Sequence, residues 1–243
     1  MPSAGAGRMT RSLLIAWGGA AAFLISLLSG AYAYLFRFDS PGAGMSLAPA
    51  VTYNVVLFSV FALHHSVLAR VNAKQWVSRQ APPELERSLY TWVASLLFIA
   101  VCAMWQPVPG TLYRVDSPWR MAGYAVQLAG VILTIRSASA LGFLDLAGVD
   151  QVRKAKAHAP AVHVPLETRG VYAFVRHPLY FAWALMVFGT PDMTATRFTF
   201  ALVSTGYLAI AIPWEERSLV GVFGAAYEEY RQRVRWRMLP GVY

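Results

Sequence analysis

Four long and mostly apolar runs constrain the fold of this chain more than any other feature of its sequence. They cover residues 13–36, 50–68, 89–105 and 121–135. A helix needs about 20 mostly apolar residues to cross the hydrocarbon core of a bilayer. The first run is too long for the core of a signal peptide and lacks an A-x-A cleavage pattern, so we interpret it as a retained helix. The runs therefore predict four membrane-spanning helices.

The composition also indicates a membrane protein. Hydrophobic residues make up 57% of the 243 positions and charged residues 14%, whereas soluble domains average roughly 45–50% apolar and about 25% charged residues. A formal charge of +9 would suggest nucleic acid binding in a soluble protein. In a membrane protein, cationic loops orient the helices, so we predict no nucleic acid partner. The single cysteine, Cys102, lies in an apolar run and excludes a disulfide framework.

A second apolar region, residues 178–214, follows a polar stretch at 136–177. It is divided at residues 189–192 by Gly-Thr-Pro-Asp, a sequence typical of a turn, so we predict a tight helical hairpin. The first arm, residues 179–188, is short for a full span. It must tilt, extend back through Tyr172, or pack against protein rather than lipid. The predicted fold class is all-α, a polytopic integral membrane helix bundle with about five spans, the last a broken helical hairpin.

The distribution of Lys and Arg predicts the orientation of these spans. Of the 21 cationic residues, 17 lie before the first run, after the second, after the fourth or at the end of the sequence. The others are Arg37, Arg114, Arg120 and Arg197. By the positive-inside rule, both termini and the polar loop face the cytoplasm of an inner membrane and form a cytoplasmic cap. No repeat or linker indicates two domains, so we predict one domain over residues 1–243, with a four-span bundle at 12–142 and the remainder at 143–243.

Charged residues stand at both ends of the predicted hairpin. Arg176 and His177 precede it, and Glu215 and Glu216 follow it. Because the two ends of a hairpin lie side by side, the four side chains should meet at one membrane face. Carboxylates at an apolar boundary are costly unless they are paired. Pro178 fits the first turn of a helix. The cluster is either a set of ion pairs that anchors the hairpin or a binding site.

The sequence motifs around this hairpin resemble those of a known enzyme family. The order G-V-Y-x-x-x-R-H-P-x-Y, an apolar hairpin, E-E-x-x-L and F-G-x-x-Y-x-x-Y, within residues 163–240, is similar to that of the S-adenosylmethionine-dependent membrane methyltransferases. These include isoprenylcysteine carboxyl methyltransferases and phospholipid N-methyltransferases. Residues 61–70, 83–90 and 141–151 resemble the methanethiol S-methyltransferase branch and its NnrU-like neighbours more closely.

The resemblance implies transfer of a methyl group from S-adenosylmethionine to a small lipophilic thiol such as methanethiol, giving dimethyl sulfide. The alternatives are methylation of a prenylcysteine carboxylate or lipid amine by the same fold, or a non-enzymatic NnrU-like membrane protein. Besides the thiol, membrane lipid is the predicted partner, and the oligomeric state is left open. The absence of G-x-G-x-x-G argues against a Rossmann-type cofactor site.

The resemblance also implies a cofactor pocket in the cap. It would be lined by His163, Leu166, Gly170, Tyr172, Arg176, His177, Tyr180, Glu215 and Glu216. One of the carboxylates, Glu215 or Glu216, could bind the ribose hydroxyls or the amino group of the cofactor. One of the cations, Arg176 or His177, could bind its carboxylate. Aromatic faces nearby could stabilise the cationic sulfonium.

The candidate catalytic residues are His64, His65, Asp145 and Arg176. Neighbouring residues of a helix point about 100° apart, so the two histidines cannot both face one ligand. Each histidine either packs among helices or accepts and orients the proton of the thiol. Asp145 either caps a helix or orients the substrate, and Arg176 could favour the thiolate. No metal site is predicted, because no third ligand has a defined spacing to the histidines.

Overall fold

The structure is a computed structural model that describes residues 4–40, 45–68, 79, 81–157 and 165–243. Helices dominate it. Five of them are long and apolar enough to cross a membrane: Met9–Arg37, Leu47–Ser66, Pro83–Met104, Arg120–Leu141 and Ala195–Phe223. The prediction of a polytopic helical membrane protein with about five spans is confirmed.

The α-helices described are α1 (Ala4–Tyr32), α2 (Leu47–Leu68), α3 (Glu86–Met104), α4 (Arg120–Leu141), α5 (Phe143–Leu146), α6 (Val149–Lys156), α7 (Pro178–Phe188), α8 (Ala195–Phe223) and α9 (Ala225–Arg233). A π-helix at Ala33–Arg37 follows α1, and 3-10 turns lie at Pro83–Leu85 and Gly170–Ala173. Two short strands, β1 (Thr111–Arg114) and β2 (Asp192–Thr194), pair antiparallel. The sequence did not predict this small sheet, because strands of this length have too little periodicity to be recognised.

The described residues form two compact units. The first unit contains the described parts of Met1–Leu35, Val56–Trp105 and Gly142–His163. The second unit contains those of Phe36–Val55, Gln106–Leu141 and Val164–Tyr243. The single domain over residues 1–243 stays a prediction.

In the first unit, α1 packs closely against α3 through glycines. A Cβ atom on Gly18 would lie 2.7 Å from the Trp92 ring, and one on Gly30 would lie 2.9 Å from Phe98. The Trp92 indole N–H also donates to the Ile15 carbonyl at 2.9 Å. Small residues allow the backbones of membrane helices to approach closely. These contacts explain why two large aromatic residues can lie directly against the backbone of α1.

The short helix α6 packs onto α1 and onto the start of α3. Val149 and Val152 are fully buried in a cluster with Ala16 and other apolar residues of the first unit. The Ser88 hydroxyl donates to the Gly148 carbonyl at 3.2 Å. The polar loop is thereby attached to the helix ends of this unit.

In the second unit, the short helix α7 packs against both α4 and α8. It begins at Pro178, which occupies the first turn as the sequence predicts. A Cβ atom on Gly130 of α4 would lie 2.7 Å from Met186 and 2.8 Å from the Ala182 carbonyl oxygen. Of the three predicted possibilities for this short arm, packing against protein is therefore the one observed.

Charged side chains hold the turn between α7 and α8. Arg120 donates two hydrogen bonds to Asp192, at 2.8 and 2.5 Å. These bonds hold the pKa of Asp192 below its ordinary value. The buried side chain of Arg197 donates to Asp39 at 2.6 Å, while the Thr194 hydroxyl accepts from the Arg197 backbone N–H at 3.1 Å and caps α8. This end of the second unit is held together by hydrogen-bonded ion pairs.

Helix α8 continues further than the sequence predicts. We expected the hairpin to close before the carboxylate pair, but α8 runs on through Pro213 and includes Glu215 and Glu216. Proline has no N–H, so the Ala209 carbonyl cannot accept the usual helical hydrogen bond. The Tyr243 hydroxyl donates to this carbonyl at 3.2 Å instead. Both glutamates are consequently held on a regular helix.

Candidate active site

The residues that lead into α7 are hydrogen-bonded to residues 234–243, a segment of coil, bends and turns after α9 that we call the tail segment. The Arg176 N–H donates to the Trp236 carbonyl at 2.9 Å, and the His177 N–H donates to the Arg237 carbonyl at 2.8 Å. Two backbone donors in front of α7 are therefore already used. A ligand bound here therefore cannot use these two donors.

A buried ion pair joins Arg176 to Glu216. Arg176 Nε donates to Glu216 Oε1 at 2.6 Å, and 4% and 3% of the two side chains are exposed. Arg176 Nη1 also donates to the carbonyl oxygens of Val234 and Arg235, at 2.6 and 3.0 Å. Buried charges are costly unless they are paired and hydrogen-bonded, and both charges meet that condition. The pair joins the start of α7, helix α8 and the tail segment.

Two further basic side chains approach Glu216. His177 Nε2 lies 3.5 Å from Glu216 Oε1, and Arg237 Nε lies 3.3 Å from Glu216 Oε2. Arg237 Nη1 donates to the Tyr243 hydroxyl at 3.2 Å, and its guanidinium lies 5.1 Å from the centre of the Tyr243 ring. The Arg237 side chain remains 35% exposed. Arg237 is thus a cation that is positioned by protein contacts and still accessible.

Glu215, next to the buried pair in sequence, has different surroundings. It accepts a hydrogen bond from the Tyr180 hydroxyl, and its Oε2 lies 3.6 Å from His177 Nδ1. The Tyr180 ring stacks on His177 with centroids 5.3 Å apart and an angle of 14° between the planes. The Glu215 side chain is 40% exposed. It is the accessible carboxylate of this cluster.

Three buried tyrosines accompany these charges. The Tyr230 hydroxyl donates to the Tyr172 carbonyl at 2.7 Å, and the rings of Tyr227 and Tyr230 meet edge to face at 5.8 Å. Burial, with an addition from Glu167, raises the pKa of Tyr172 to about 12. Burial also raises the pKa of Tyr227 and of Tyr230. All three phenols are therefore neutral at physiological pH.

The remaining predicted cofactor residues lie beside this tyrosine cluster or outside the described chain. Leu166 packs against the cluster. Gly170 begins the 3-10 turn with φ of 58°, a value that favours glycine. His163 lies outside the described residues. The structure brings together Arg176, His177, Tyr180, Glu215 and Glu216 in one cluster of the second unit.

The predicted catalytic residues other than Arg176 belong to the first unit. The Tyr90 hydroxyl lies 2.6 Å from His65 Nδ1, and the Tyr90 ring stacks on His64 with centroids 6.0 Å apart. Neither ring nitrogen of His64 has a hydrogen-bond partner among the described residues. Asp145 accepts a hydrogen bond from Arg87 at 2.6 Å. The catalytic roles of His64, His65 and Asp145 stay predictions.

Two contributors to these sites are not predicted by the sequence. Arg237 counts in the sequence only as a charge that orients the chain, because no spacing connects it to the hairpin. Tyr90 cannot be recognised as a partner of the histidines, since it lies on a different helix. In the part of the chain that the structure describes, no group of three or more His, Cys, Asp and Glu side chains could hold a metal ion.

Several known proteins have sequences similar to this chain. The family model described as phospholipid methyltransferase matches residues 119–226. A methanethiol S-methyltransferase of Mycobacterium tuberculosis is 33% identical over 93% of this chain and 96% of its own length. Methanethiol S-methyltransferase 1 of Bradyrhizobium diazoefficiens is 33% identical over 89% of this chain and 79% of its own.

A more distant relative has a different name. The protein-S-isoprenylcysteine O-methyltransferase of Schizosaccharomyces pombe is 33% identical over 44% of this chain and 51% of its own length. No solved structure gives a significant match. The similarity to known proteins is therefore one of sequence. For the Mycobacterium tuberculosis enzyme it extends over nearly the whole chain.

Proposed function

Because this chain belongs to the family of membrane methyltransferases that contains the methanethiol S-methyltransferases, we propose that it methylates a small thiol such as methanethiol, with S-adenosylmethionine as the methyl donor. The product is a thioether, which for methanethiol is dimethyl sulfide. The observation that carries the proposal is the similarity to the Mycobacterium tuberculosis enzyme over 93% of the chain. The isoprenylcysteine O-methyltransferases match either a shorter part of the chain, 44% for the Schizosaccharomyces pombe enzyme, or with lower identity, 21% over 86% of the chain for the Dictyostelium discoideum enzyme. This difference favours a thiol over a prenylcysteine carboxylate.

The relatives also bear on whether the chain is an enzyme. The family model and the relatives described above all have names of methyltransferases. The chain is accordingly a membrane methyltransferase, and the non-enzymatic NnrU-like alternative has no further support. The acceptor is the part of the function that needs an experiment.

The side chains at the base of α7 fit S-adenosylmethionine. An accessible carboxylate, Glu215, and an accessible cation, Arg237, lie on either side of a buried ion pair. They match the ammonium, the hydroxyls and the carboxylate of such a cofactor. The cofactor, when bound, supplies a methyl group on a positively charged sulfur. We propose that the pocket of this cofactor is lined by the residues that the resemblance implies, which are His163, Leu166, Gly170, Tyr172, Arg176, His177, Tyr180, Glu215 and Glu216.

Methylation of a thiol requires two things of the protein. The thiol sulfur must approach the methyl carbon in line with the bond that breaks, and holding two reactants in this way supplies much of the rate. The thiol must also lose its proton, because the thiolate is the nucleophile. One of the histidines, His64 or His65, is proposed as the acceptor of this proton.

We further propose that the cofactor is bound on the cytoplasmic side of an inner membrane. The cations counted above are concentrated on the side of the chain that includes Arg176 and the tail segment. Cationic loops are retained in the cytoplasm during insertion. S-adenosylmethionine is polar and would reach the site from the cytoplasm, whereas a lipophilic thiol could enter from the bilayer.

The test is a product assay on the detergent-purified protein. The protein is incubated with S-adenosylmethionine and, in parallel, with methanethiol, a prenylcysteine or a lipid amine, and volatile and non-volatile methylated products are measured. Formation of dimethyl sulfide that requires both the protein and the cofactor is the expected result. A folded protein that methylates the prenylcysteine or the amine but no small thiol would contradict the proposed acceptor.

A further inference from the structure

The charged residues at the base of α7 differ in their access to a ligand. The pair Arg176 and Glu216 is buried, with 4% and 3% of the side chains exposed. Glu215 and Arg237 are 40% and 35% exposed. A ligand can reach the second pair without breaking the first. The accessible pair is therefore better suited to ligand binding, a distinction between the two glutamates that the sequence alone does not make.

Arg176 has little binding capacity left for a ligand. Its Nε and Nη1 donate to Glu216 and to two carbonyl oxygens of the tail segment. Its Nη2 makes none of these bonds, but only 4% of the side chain is exposed, and a carboxylate bound to two nitrogens of the guanidinium would have to displace a bond made by Nε or Nη1. Displacing the bond from Nε would leave Glu216 buried without its closest partner, which is costly. Arg176 is consequently a positioning residue that fixes Glu216 and the tail segment.

Arg237 is placed as a ligand-binding cation would be. Its backbone carbonyl accepts the His177 N–H at 2.8 Å, and its side chain is oriented by Glu216 at 3.3 Å and by Tyr243 at 3.2 Å. Contacts on two sides limit the rotamers of a long side chain, so less entropy is lost when a ligand binds. The planar fork of a guanidinium also matches the geometry of a carboxylate.

Glu215 and Arg237 are connected through the same two residues. Glu215 lies 3.6 Å from His177, His177 lies 3.5 Å from Glu216, and Glu216 lies 3.3 Å from Arg237. An accessible carboxylate and an accessible guanidinium thus belong to one contiguous cluster. The two arginines and two glutamates carry no net charge together. A ligand group with one ammonium and one carboxylate would leave that balance unchanged, whereas a simple anion would not.

From these contacts we infer that Arg237 binds the carboxylate, and Glu215 the ammonium, of the amino-acid part of the methyl donor. The inference rests on the proposed function and assigns to Arg237 the contact that the sequence placed on Arg176 or His177. Both contacts are charge-assisted hydrogen bonds, which are stronger than neutral ones. Tyr180 supports the second contact by donating to Glu215.

Three neutral thioethers of 5′-thioadenosine that differ in the substituent on sulfur test the assignment. S-adenosylhomocysteine has both the ammonium and the carboxylate, 5′-(3-aminopropylthio)-5′-deoxyadenosine has the ammonium alone, and 5′-methylthioadenosine has neither. Calorimetry on the purified full chain gives the affinity of each ligand for the wild type, Arg237→Gln and Glu215→Gln. Arg235→Gln and Glu229→Gln are the matched controls, because both side chains are exposed and the Arg235 carbonyl is kept.

The expected pattern separates the two residues. Arg237→Gln should lower the affinity for S-adenosylhomocysteine about 10- to 100-fold, in line with the loss of a hydrogen bond between charged groups. It should leave the affinities for the other two ligands unchanged. Glu215→Gln should lower the affinity for both ligands that carry the ammonium and leave the affinity for 5′-methylthioadenosine unchanged. Arg237→Lys keeps the charge but lacks the planar guanidinium, so its affinity for S-adenosylhomocysteine should lie between those of the wild type and Arg237→Gln.

Other results would overturn the inference. If Arg237→Gln lowers the affinity for 5′-methylthioadenosine as much as that for S-adenosylhomocysteine, Arg237 acts on the shape of the site and does not bind the carboxylate. If it lowers the affinity for neither ligand, Arg237 does not contact the carboxylate. A folded wild-type protein that binds none of the three ligands would instead refute the proposed cofactor, and this outcome is distinct from a selective failure of the Arg237 variant.

Discussion

Arg176 donates from Nε to Glu216 at 2.6 Å, and the structure buries this ion pair almost completely. Each residue comes from a different element, one from the approach to α7 and the other from the middle of α8. The pair therefore fixes the distance between two parts of the second unit. Substitution of either residue should therefore act mainly on the stability of the protein and only indirectly on the methyl-transfer reaction.

We expect Arg176→Met to lower the free energy of unfolding by about 3–5 kcal/mol, because Glu216 is left buried without its closest partner. Thermal and denaturant unfolding in detergent measure the effect. Arg231→Met is the matched control, since its ion pair with Glu228 is largely exposed and should contribute at most about 1 kcal/mol. Equal losses in the two variants would contradict a special role of the buried pair.

Tyr180→Phe should weaken S-adenosylhomocysteine binding about 2- to 10-fold, as expected for the loss of one hydrogen bond of about 0.5–1.5 kcal/mol. The phenylalanine keeps the ring that stacks on His177 and removes only the hydroxyl that orients Glu215. Unfolding temperature should be nearly unchanged. The double variant Tyr180→Phe, Glu215→Gln should bind S-adenosylhomocysteine no more weakly than Glu215→Gln alone. Fully additive losses of affinity would argue that Tyr180 does not act through Glu215.

The two histidines of α2 should respond differently to substitution. His65 is hydrogen-bonded to Tyr90, so His65→Ala should chiefly lower the unfolding temperature. His64 has no hydrogen-bond partner among the described residues, and unsatisfied polar groups in a membrane span often have a function. His64→Ala should lower the methyl-transfer rate by about 100-fold or more if it accepts the thiol proton, without changing cofactor affinity. The reverse pattern would assign that role to His65.

Gly130→Ala should destabilise the second unit by about 1–3 kcal/mol, as overpacking does. The added carbon would lie 2.7 Å from Met186 and 2.8 Å from a backbone oxygen of α7, and the backbone has little freedom to move away. Gly206→Ala on α8 is the control, because nothing lies within 4 Å of its added carbon and alanine favours helix. Unfolding in detergent compares the two, and equal effects would contradict close packing of α4 on α7.

Asp192→Asn should destabilise the protein at neutral pH and lose this effect in acid. The hydrogen bonds from Arg120 hold the pKa of Asp192 below its ordinary value, so the folded state favours the charged carboxylate. The stabilisation is therefore present above the unfolded-state pKa of about 4 and is lost as pH falls through the lower, folded-state pKa. Unfolding temperatures of wild type and variant should converge toward pH 3. A difference that is constant with pH would show that the charge of Asp192 is not involved.

Much of the architecture could be predicted from the sequence because hydrophobic length is a direct requirement of the bilayer. The five spans and the helix start at Pro178 follow from that requirement and from the missing N–H of proline. The continuation of α8 through Pro213 could not be predicted in this way. A proline usually interrupts a helix, and here the freed carbonyl is bonded by a residue 34 positions away, which no local pattern indicates.

The site could be predicted in part for a similar reason. Arg176, His177, Glu215 and Glu216 are found together because both ends of a hairpin must meet, which the sequence order alone implies. Which of them is buried and which is accessible depends on the tail segment, whose pairing with Arg176 and His177 is set by tertiary contacts. This pairing brings Arg237 into the site, so the sequence alone does not predict its role.

The proline in α8 makes two distant positions of the sequence mutually dependent. Pro213 leaves the Ala209 carbonyl free, Tyr243 occupies it, and the same tyrosine orients Arg237. With a residue other than proline at position 213, its backbone N–H would donate to the Ala209 carbonyl, and the Tyr243 hydroxyl would lose this hydrogen-bond acceptor. We expect the proline and the tyrosine to be inherited together, since the proline without the tyrosine would leave the Ala209 carbonyl without this partner, and the tyrosine without the proline would keep only its contact with Arg237.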